Sequence, residues 1–424
     1  MARHKSERDQ QPAAAEYTVV ARRYRPKQFD ELIGQEAPAQ ALMNALTNGR
    51  VAHAYLFTGA RGVGKTSTAR ILAKALNCVS GPTPRPCDSC EICTSIATGE
   101  DIDVLEIDGA SNRGIDEVRE IRANVGFRPQ RARYKIYIID EVHMLTTPAF
   151  NALLKTLEEP PPGVKFIFAT TEVNKVPITI LSRCQRFDFG TIRTDRIAEH
   201  LRSIVAREGK PVDDDALAII ARRAAGSMRD GESLLDQLMA FGEPVTPDLV
   251  HRLLGTAAAD QVVAIASAVF ANDAREALRL VADSLAGGSQ AGELLDQLVE
   301  LWRDLMIATS CGAPGLNTAF PAKDIERLSS GRSADVILAG LDILAATKSR
   351  LKLTGYGPLL LEMAVVRLAR LDQLMSVGDV WAQLSGATSP TAAMRSAPAA
   401  STPAPAPLDA EKKKTLNPAR PALR

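Results

Sequence analysis

Residues Gly59-Ala60-Arg61-Gly62-Val63-Gly64-Lys65-Thr66 match the pattern G-x-x-x-x-G-K-[ST], and their surroundings decide how the pattern is read. An apolar run, Ala54-Tyr-Leu-Phe57, precedes them, and a helical pattern with Ile71, Leu72, Ala75 and Leu76 on one face follows. Strand, glycine-rich turn and helix in that order form a loop whose backbone N–H groups turn inward toward phosphates. The Lys65 ammonium then supplies a point charge for the outer phosphates, and the Thr66 hydroxyl and neighbouring Ser67 lie at the start of the helix. A chance glycine-rich turn would lack this context. The stretch predicts a nucleoside triphosphate site with a Mg²⁺ ligand at Thr66.

Working outward, strand-like runs recur at Val104–Ile107, Lys135–Ile139, Lys165–Ala169 and Arg186–Phe189, and helical patterns separate most of them. Alternation of this kind predicts a parallel sheet covered on both faces, an α/β fold. From Thr194, expected to cap a helix, the strand signal stops and a second helix is expected at Ala216–Ala225. Past Thr256 the chain reads as helical, with Leu294, Leu295, Leu298, Leu301, Trp302, Leu305 and Met306 on one stripe. Val336–Leu353 and Leu359–Leu371 repeat that character, and no internal repeat is evident. The Ala- and Pro-rich, finally basic end reads as disordered.

The run Ile136-Tyr-Ile-Ile139 ends in Asp140-Glu141-Val-His143, as a buried central strand does when it delivers acids to a phosphate loop. Asp140 is expected in the Mg²⁺ shell and Glu141 is expected to polarise the attacking water. Two roles fit His143: a link from the water-activating end to the rest of the site, or a cap on the turn. Two arginines are further candidates. Arg183 in Ser182-Arg-Cys184 reads as lying just after a sheet strand at an exposed sheet edge. Arg229 lies near the start of a helix that Ser227 can cap. Either guanidinium could stabilise charge on a γ-phosphate, and for each a surface salt bridge is the plainer account.

Cys78, Cys87, Cys90 and Cys93 follow the spacing C-x8-C-x2-C-x2-C in a loop carrying Gly81, Pro82, Pro84 and Pro86. Four thiolates at short spacing suit a closed, structural Zn²⁺ site, with an iron–sulfur cluster as the alternative. Cys184 and Cys311 stand apart and are read as packed thiols.

The 424-residue chain has room for about three domains, and its 46% hydrophobic content supports a core in each. Net charge is +1, so nucleic acid would have to be met by local basic patches. No apolar run approaches the roughly 18 residues of a membrane span. The polar stretch from Met1 to Glu16 lacks the apolar core of a signal peptide. Cytoplasmic location is the expectation.

These residues carry a resemblance. The stretches Ala21-Arg-Arg-Tyr-Arg-Pro26, Gly34-Gln-Glu36, His53-Ala-Tyr-Leu-Phe57, the phosphate loop and Ile107-Asp-Gly-Ala-Ser-Asn112 are similar to the bacterial DNA polymerase III gamma/tau family. So are Asp140-Glu-Val-His-Met-Leu145, Asn151-Ala-Leu-Leu-Lys-Thr-Leu-Glu-Glu-Pro160, Ala169-Thr-Thr171 and Ile180-Leu-Ser-Arg-Cys184. The match runs from about 17 to about 255, and the cysteine spacing agrees with that family's zinc module.

The resemblance implies an AAA+ P-loop domain with a parallel sheet and zinc module, then a helical lid and an all-α collar. The implied divisions are a disordered 1–16, the ATPase domain at 17–192 with its zinc module at 78–93, the lid at 193–255, the collar at 256–383 and a disordered tail at 384–424. It implies a clamp-loader ATPase that uses ATP and Mg²⁺ to open a ring-shaped sliding clamp and load it on primed DNA. Thr171 would be the sensor beside the phosphate-loop strand, Arg229 the lid sensor, and Arg183 the finger offered to a neighbouring subunit's ATP. The partners implied are further gamma/tau copies, delta and delta prime in a hetero-pentamer, with the sliding clamp and primer-template DNA. Tau-type chains continue beyond such an Ala/Pro tail into domains for the helicase and the polymerase.

Two other classes compete. Asp-Glu-x-His also occurs in strand-separating motors, and a structural subunit with a dead nucleotide site would need none of Lys65, Thr66, Asp140 or Glu141. No polymerase carboxylate constellation is evident, so DNA-directed DNA polymerase (nucleotidyltransferase) activity would belong to the holoenzyme.

Overall fold

A computed structural model of the chain describes residues 18–312 and 319–371. The segments 1–16 and 384–424, expected to be disordered, lie outside the described residues, as do Tyr17, 313–318 and 372–383.

Five parallel strands form one sheet in the order β2-β3-β4-β1-β5. They are β1 (Ala54–Gly59), β2 (Val104–Asp108), β3 (Lys135–Asp140), β4 (Val164–Thr170) and β5 (Gln185–Phe189). The inner strands read as continuous apolar runs because both of their faces are covered. Tyr55 and Phe57 of β1 point to the face that holds the helices Glu36–Thr47 and Lys65–Asn77, and Ala54 and Leu56 point to the other. That second face is filled by Val118 and Ile121 of helix Ile115–Val125 and Leu153 and Leu157 of helix Thr147–Glu158. The helix Lys65–Asn77 is more enclosed than a one-face stripe predicts: Ala69, Ala73 and even Lys74 are buried with Ile71, Leu72, Ala75 and Leu76.

After β5 the described chain is helical apart from an isolated Val212–Val245 bridge. The helix expected to be capped by Thr194 spans Thr194–Glu208. Its cap position is Arg193, and Thr194 is already in helical geometry, so its hydroxyl does not close the first turn. The next helix is Asp214–Arg223, two residues earlier than the apolar pattern suggested, because Asp213 to Asp215 provide its acidic first turn. Ser227 does cap Met228–Met239, its hydroxyl accepting from the Asp230 N–H. These helices share a core with Val20 and Ile192, which ties the start of the described chain to this layer.

Among the described residues six further helices, from Ala259–Phe270 to Gly357–Ala369, bury the Leu294–Leu305 stripe in a separate core. Trp302 is at its centre, stacked on Phe270 at 5.1 Å between ring centres. Cys311, read as packed, is exposed at the last turn of Ala291–Cys311, beyond the apolar stripe. Among the described residues no single helix is long and apolar enough to cross a membrane.

Candidate functional site

The phosphate loop runs from the end of β1 into the helix Lys65–Asn77 at the carboxyl edge of the sheet, where open α/β folds place ligands. Gly62 has φ +75°, and a Cβ there would lie 2.0 Å from the Ser227 hydroxyl. The Arg229 N–H also donates to the Gly62 carbonyl at 3.4 Å. A bare glycine is what lets the helical layer close on the loop. Lys65 donates its ammonium to the Gly59 and Ala60 carbonyls at 2.8 and 2.7 Å, which folds it over the loop. Burial pushes its pKa down, and the Glu141 and Asp140 carboxylates pull it back up.

Parallel pairing brings β3 one strand from β4 and two from β1, so its terminal acids arrive beside the loop. The Thr66 hydroxyl donates to Asp140 Oδ2 at 2.6 Å. Glu141 adopts the left-handed conformation at φ +47° and ψ +46°, which costs a non-glycine residue about 1–3 kcal/mol. The Thr171 N–H and hydroxyl both donate to Glu141 Oε2, at 3.2 and 2.9 Å. Thr171 itself follows directly on the last residue of β4. His143 is nearly buried and lies 3.0 Å from the Thr170 hydroxyl, 3.3 Å from Glu141 and 3.4 Å from Glu172. Of its two possible roles, the linking one matches this placement.

A cavity of about 1010 Å³ opens over these groups. Arg61, Gly62, Val63, Gly64, Lys65, Thr66, Ser67, Asp140, Glu141 and Arg229 line it. Gly59 and Ala60 lie behind Lys65, and Thr171 reaches the cavity through Glu141. Arg183 stands elsewhere. It does not follow a strand: it comes after the short helix Ile178–Leu181 and before the edge strand β5, because Pro177 and the apolar Ile178–Leu181 turn into a helix instead of pairing. Its guanidinium bonds Glu158 at 2.5 Å and the Thr179 carbonyl at 2.6 Å.

Sequence reasoning missed part of the lining. Arg22, Arg25 and Glu31 come from the segment before the sheet, Arg70, Glu106 and Asp108 from the β2 side, and His200 and Glu232 from the helical layer. Burial, then repulsion from Arg70, lowers the Arg25 pKa. His200 Nε2 meets Glu232 at 3.0 Å. One signal was available in the Asp108-Gly109 pair. A Cβ on Gly109 would fall 2.8 and 2.9 Å from the Glu141 and Asp140 carbonyls, so glycine at that point marks a close approach to the acidic end of β3.

Away from the cavity, the four cysteine Sγ atoms lie within 4.8 Å of one another, with Cys87 and Cys93 at 4.0 Å. Ligands on one tetrahedral ion with bonds of about 2.3 Å sit about 3.8 Å apart, so the cluster fits a single ion better than a cage of several irons. N–H groups of Ser89 and Cys90 bring the Cys87 thiol down to about 6. Burial pushes Cys93 up. The Cys184 thiol, packed against the sheet, is pushed by burial up to about 12.

A phosphate loop on a five-stranded parallel sheet, two acids at the end of the strand two places from the loop strand and a helical layer bonded back to the loop define an AAA+ P-loop fold with lid and collar. Three family models match along the chain: DNA polymerase III, delta subunit, at 34–193, the DNA polymerase III clamp loader subunit ATPase lid domain at 196–244, and DNA polymerase III subunits gamma and tau domain III at 245–384. DNA polymerase III subunit tau of Bacillus subtilis (strain 168) is 41% identical over 360 residues, covering 84% of this chain and 63% of that protein. Subunit tau of Escherichia coli (strain K12) is 43% identical, over 72% of this chain and 47% of that one. Subunit gamma/tau of Mycobacterium tuberculosis (strain ATCC 25618 / H37Rv) is 40% identical, over 79% and 61%. The chain belongs to the bacterial DNA polymerase III gamma/tau family. It spans less than two thirds of the length of each of these relatives.

Proposed function

We propose that this chain is an ATPase subunit of the DNA polymerase III clamp loader, binding and hydrolysing ATP to open the sliding clamp and load it on primed DNA during replication. The observation that carries this is the convergence on one cavity of Lys65, the Thr66–Asp140 pair, Glu141 and Arg229. Residues Gly59 to Ser67 cradle the phosphates and Lys65 neutralises them. Thr66 and Asp140 present two oxygens 2.6 Å apart, a pair that suits a shared Mg²⁺ shell. When bound, Mg²⁺ would offset charge on the phosphate oxygens. Glu141 orients and polarises the attacking water, Thr171 sets the direction of that carboxylate, and Arg229 carries the γ-phosphate state into the lid.

Arg183 is the finger for a neighbour's ATP. Its placement supports this, since its guanidinium is held by Glu158 and does not line its own chain's cavity. A catalytic group supplied from outside makes hydrolysis depend on assembly. The partners are further gamma/tau copies, delta and delta prime in a hetero-pentamer, with the clamp and primer-template DNA, in the cytoplasm. DNA synthesis belongs to the polymerase partner. The chain divides into an ATPase domain at 17–192, a lid at 193–255 and a collar at 256–383; the separate core that begins at Ala257 supports the last division, while Val20 and Ile192 pack into the core of the lid. Cys78, Cys87, Cys90 and Cys93 hold one structural Zn²⁺.

The test is ATP hydrolysis by the chain alone and with delta, delta prime, clamp and primed DNA. Stimulation that requires the partners is expected. ATP-driven strand displacement by the chain alone would assign it to the motors instead.

A further inference from the structure

The cysteine module and the nucleotide cavity are joined by one carboxylate. Asp88 lies inside the Cys87–Cys90 turn, held at φ +54° while the Cys90 N–H donates to Cys87 Sγ at 3.3 Å. The Asp88 carboxylate accepts from the Lys74 ammonium on one oxygen and from the Gln28 side-chain amide on the other. Lys74 belongs to the helix that opens at Lys65, and its side chain is 3% exposed. The same ammonium donates to the Lys27 carbonyl at 2.7 Å, and Gln28 also donates to the Pro86 carbonyl at 2.8 Å. From Lys27 the path reaches the cavity directly: its N–H donates to Glu31 Oε2 at 2.6 Å, and Glu31 lines the cavity along with Arg25 and Leu32. A Leu32 methyl also lies 3.7 Å from where a Cβ on Gly64 of the phosphate loop would sit.

We infer that metal binding at the four cysteines and nucleotide binding at the phosphate loop are coupled, with Asp88 as the positioning residue. The inference rests on reading the cavity as a nucleotide site and the cysteines as a one-zinc site. Asp88 keeps its direction because two metal ligands flank it and hold the turn. A buried ammonium that loses its carboxylate is left costly and seeks other partners, so loss of the ion loosens both Lys74 and the Lys27–Glu31 segment. Coupling between two sites is reciprocal, so nucleotide must tighten zinc by the factor that zinc tightens nucleotide.

The experiment titrates zinc against a chromophoric chelator in the full chain, with and without saturating ATPγS, and separately titrates ATPγS into zinc-loaded and zinc-depleted chain. Both affinities are expected to change by the same factor, roughly five-fold or more. Asp88→Ala is expected to abolish the mutual effect while still taking one zinc. Gln28→Ala, which cuts the same bridge from outside the metal loop, is expected to weaken it, and it carries the test if Asp88→Ala loads zinc poorly. Chain that binds ATPγS and zinc with no mutual effect overturns the coupling alone, and a Gln28→Ala chain with the full effect overturns the Asp88 bridge as its route. Chain that binds no ATPγS overturns the nucleotide-site reading and the coupling with it.

Discussion

The Thr171 hydroxyl donates to the Glu141 carboxylate at 2.9 Å, and the Thr171 N–H adds a second bond to the same oxygen. The residue at the end of β4 therefore sets where the carboxylate at the end of β3 points. His143 Nδ1 lies 3.3 Å from the same oxygen, so Glu141 is a group held in place rather than a loose surface acid. Its left-handed backbone, with no glycine to ease it, is the strain expected at a site where position matters more than stability.

Glu141→Gln is expected to bind ATP as the parent chain does and to lose turnover by about 10²- to 10⁴-fold, the usual worth of a positioned acid or base. The amide keeps an oxygen for Thr171 but cannot take the charge that polarises water. Nucleotide titration beside steady-state hydrolysis checks the split.

Lys65→Ala is expected to remove most nucleotide affinity. Its ammonium spans the Gly59 and Ala60 carbonyls, so the substitution takes away both the charge and the clasp that shapes the loop. Equal ATP affinity in Lys65→Ala and Glu141→Gln would contradict the division between binding and chemistry.

Metal analysis is expected to give one Zn²⁺ per chain. Cys90→Ser removes a thiolate ligand, while a serine hydroxyl can still take the cap position in which Cys90 Sγ accepts from the Cys93 N–H at 3.4 Å, so the loss falls on the metal site. Thermal stability should fall further than the chemistry of the chain that remains folded. Iron with visible absorbance would identify a different metal.

The two remaining cysteines should differ in reactivity. Cys184 is pushed up to about 12 by burial, so at pH 8 it carries almost no thiolate, whereas Cys311 is exposed. Iodoacetamide applied to zinc-loaded chain at pH 8 should label Cys311 and spare Cys184, as peptide mass mapping would record. Labelling of Cys184 should grow only as pH rises toward its elevated pKa.

What the sequence made legible follows from how local each signal is. The phosphate loop can be read because turn, charge and hydroxyl are contiguous. The inner strands can be read because burial on both faces leaves apolar runs with clear ends. Ser227 announced its helix because a cap acts within three residues. Arg183 was misplaced for the converse reason: its position depends on the short helix Ile178–Leu181 between β4 and β5, a single turn with too few residues to show a period. Thr194 misled because capping residues also occupy the first helical turn. Cys311 misled because its exposure depends on which side of a long helix faces the core. Arg25, Glu31, His200 and Glu232 were illegible because they meet only when the N-terminal segment and the helical layer pack over the sheet. Asp88 looked like filler between metal ligands until Lys74 and Gln28 were seen to converge on it.

The most direct test of an assembly-dependent ATPase is Arg183→Ala, measured for ATP affinity in the isolated chain and for ATP hydrolysis in the complete loader with clamp and primed DNA. Arg183 pairs with Glu158 away from its own cavity, so affinity in the isolated chain should be unchanged. Hydrolysis in the loader should fall by roughly 10³- to 10⁵-fold, the range for an arginine supplied by a neighbour. Weakened ATP binding in the isolated chain, with hydrolysis in the loader falling only in proportion, would contradict the account.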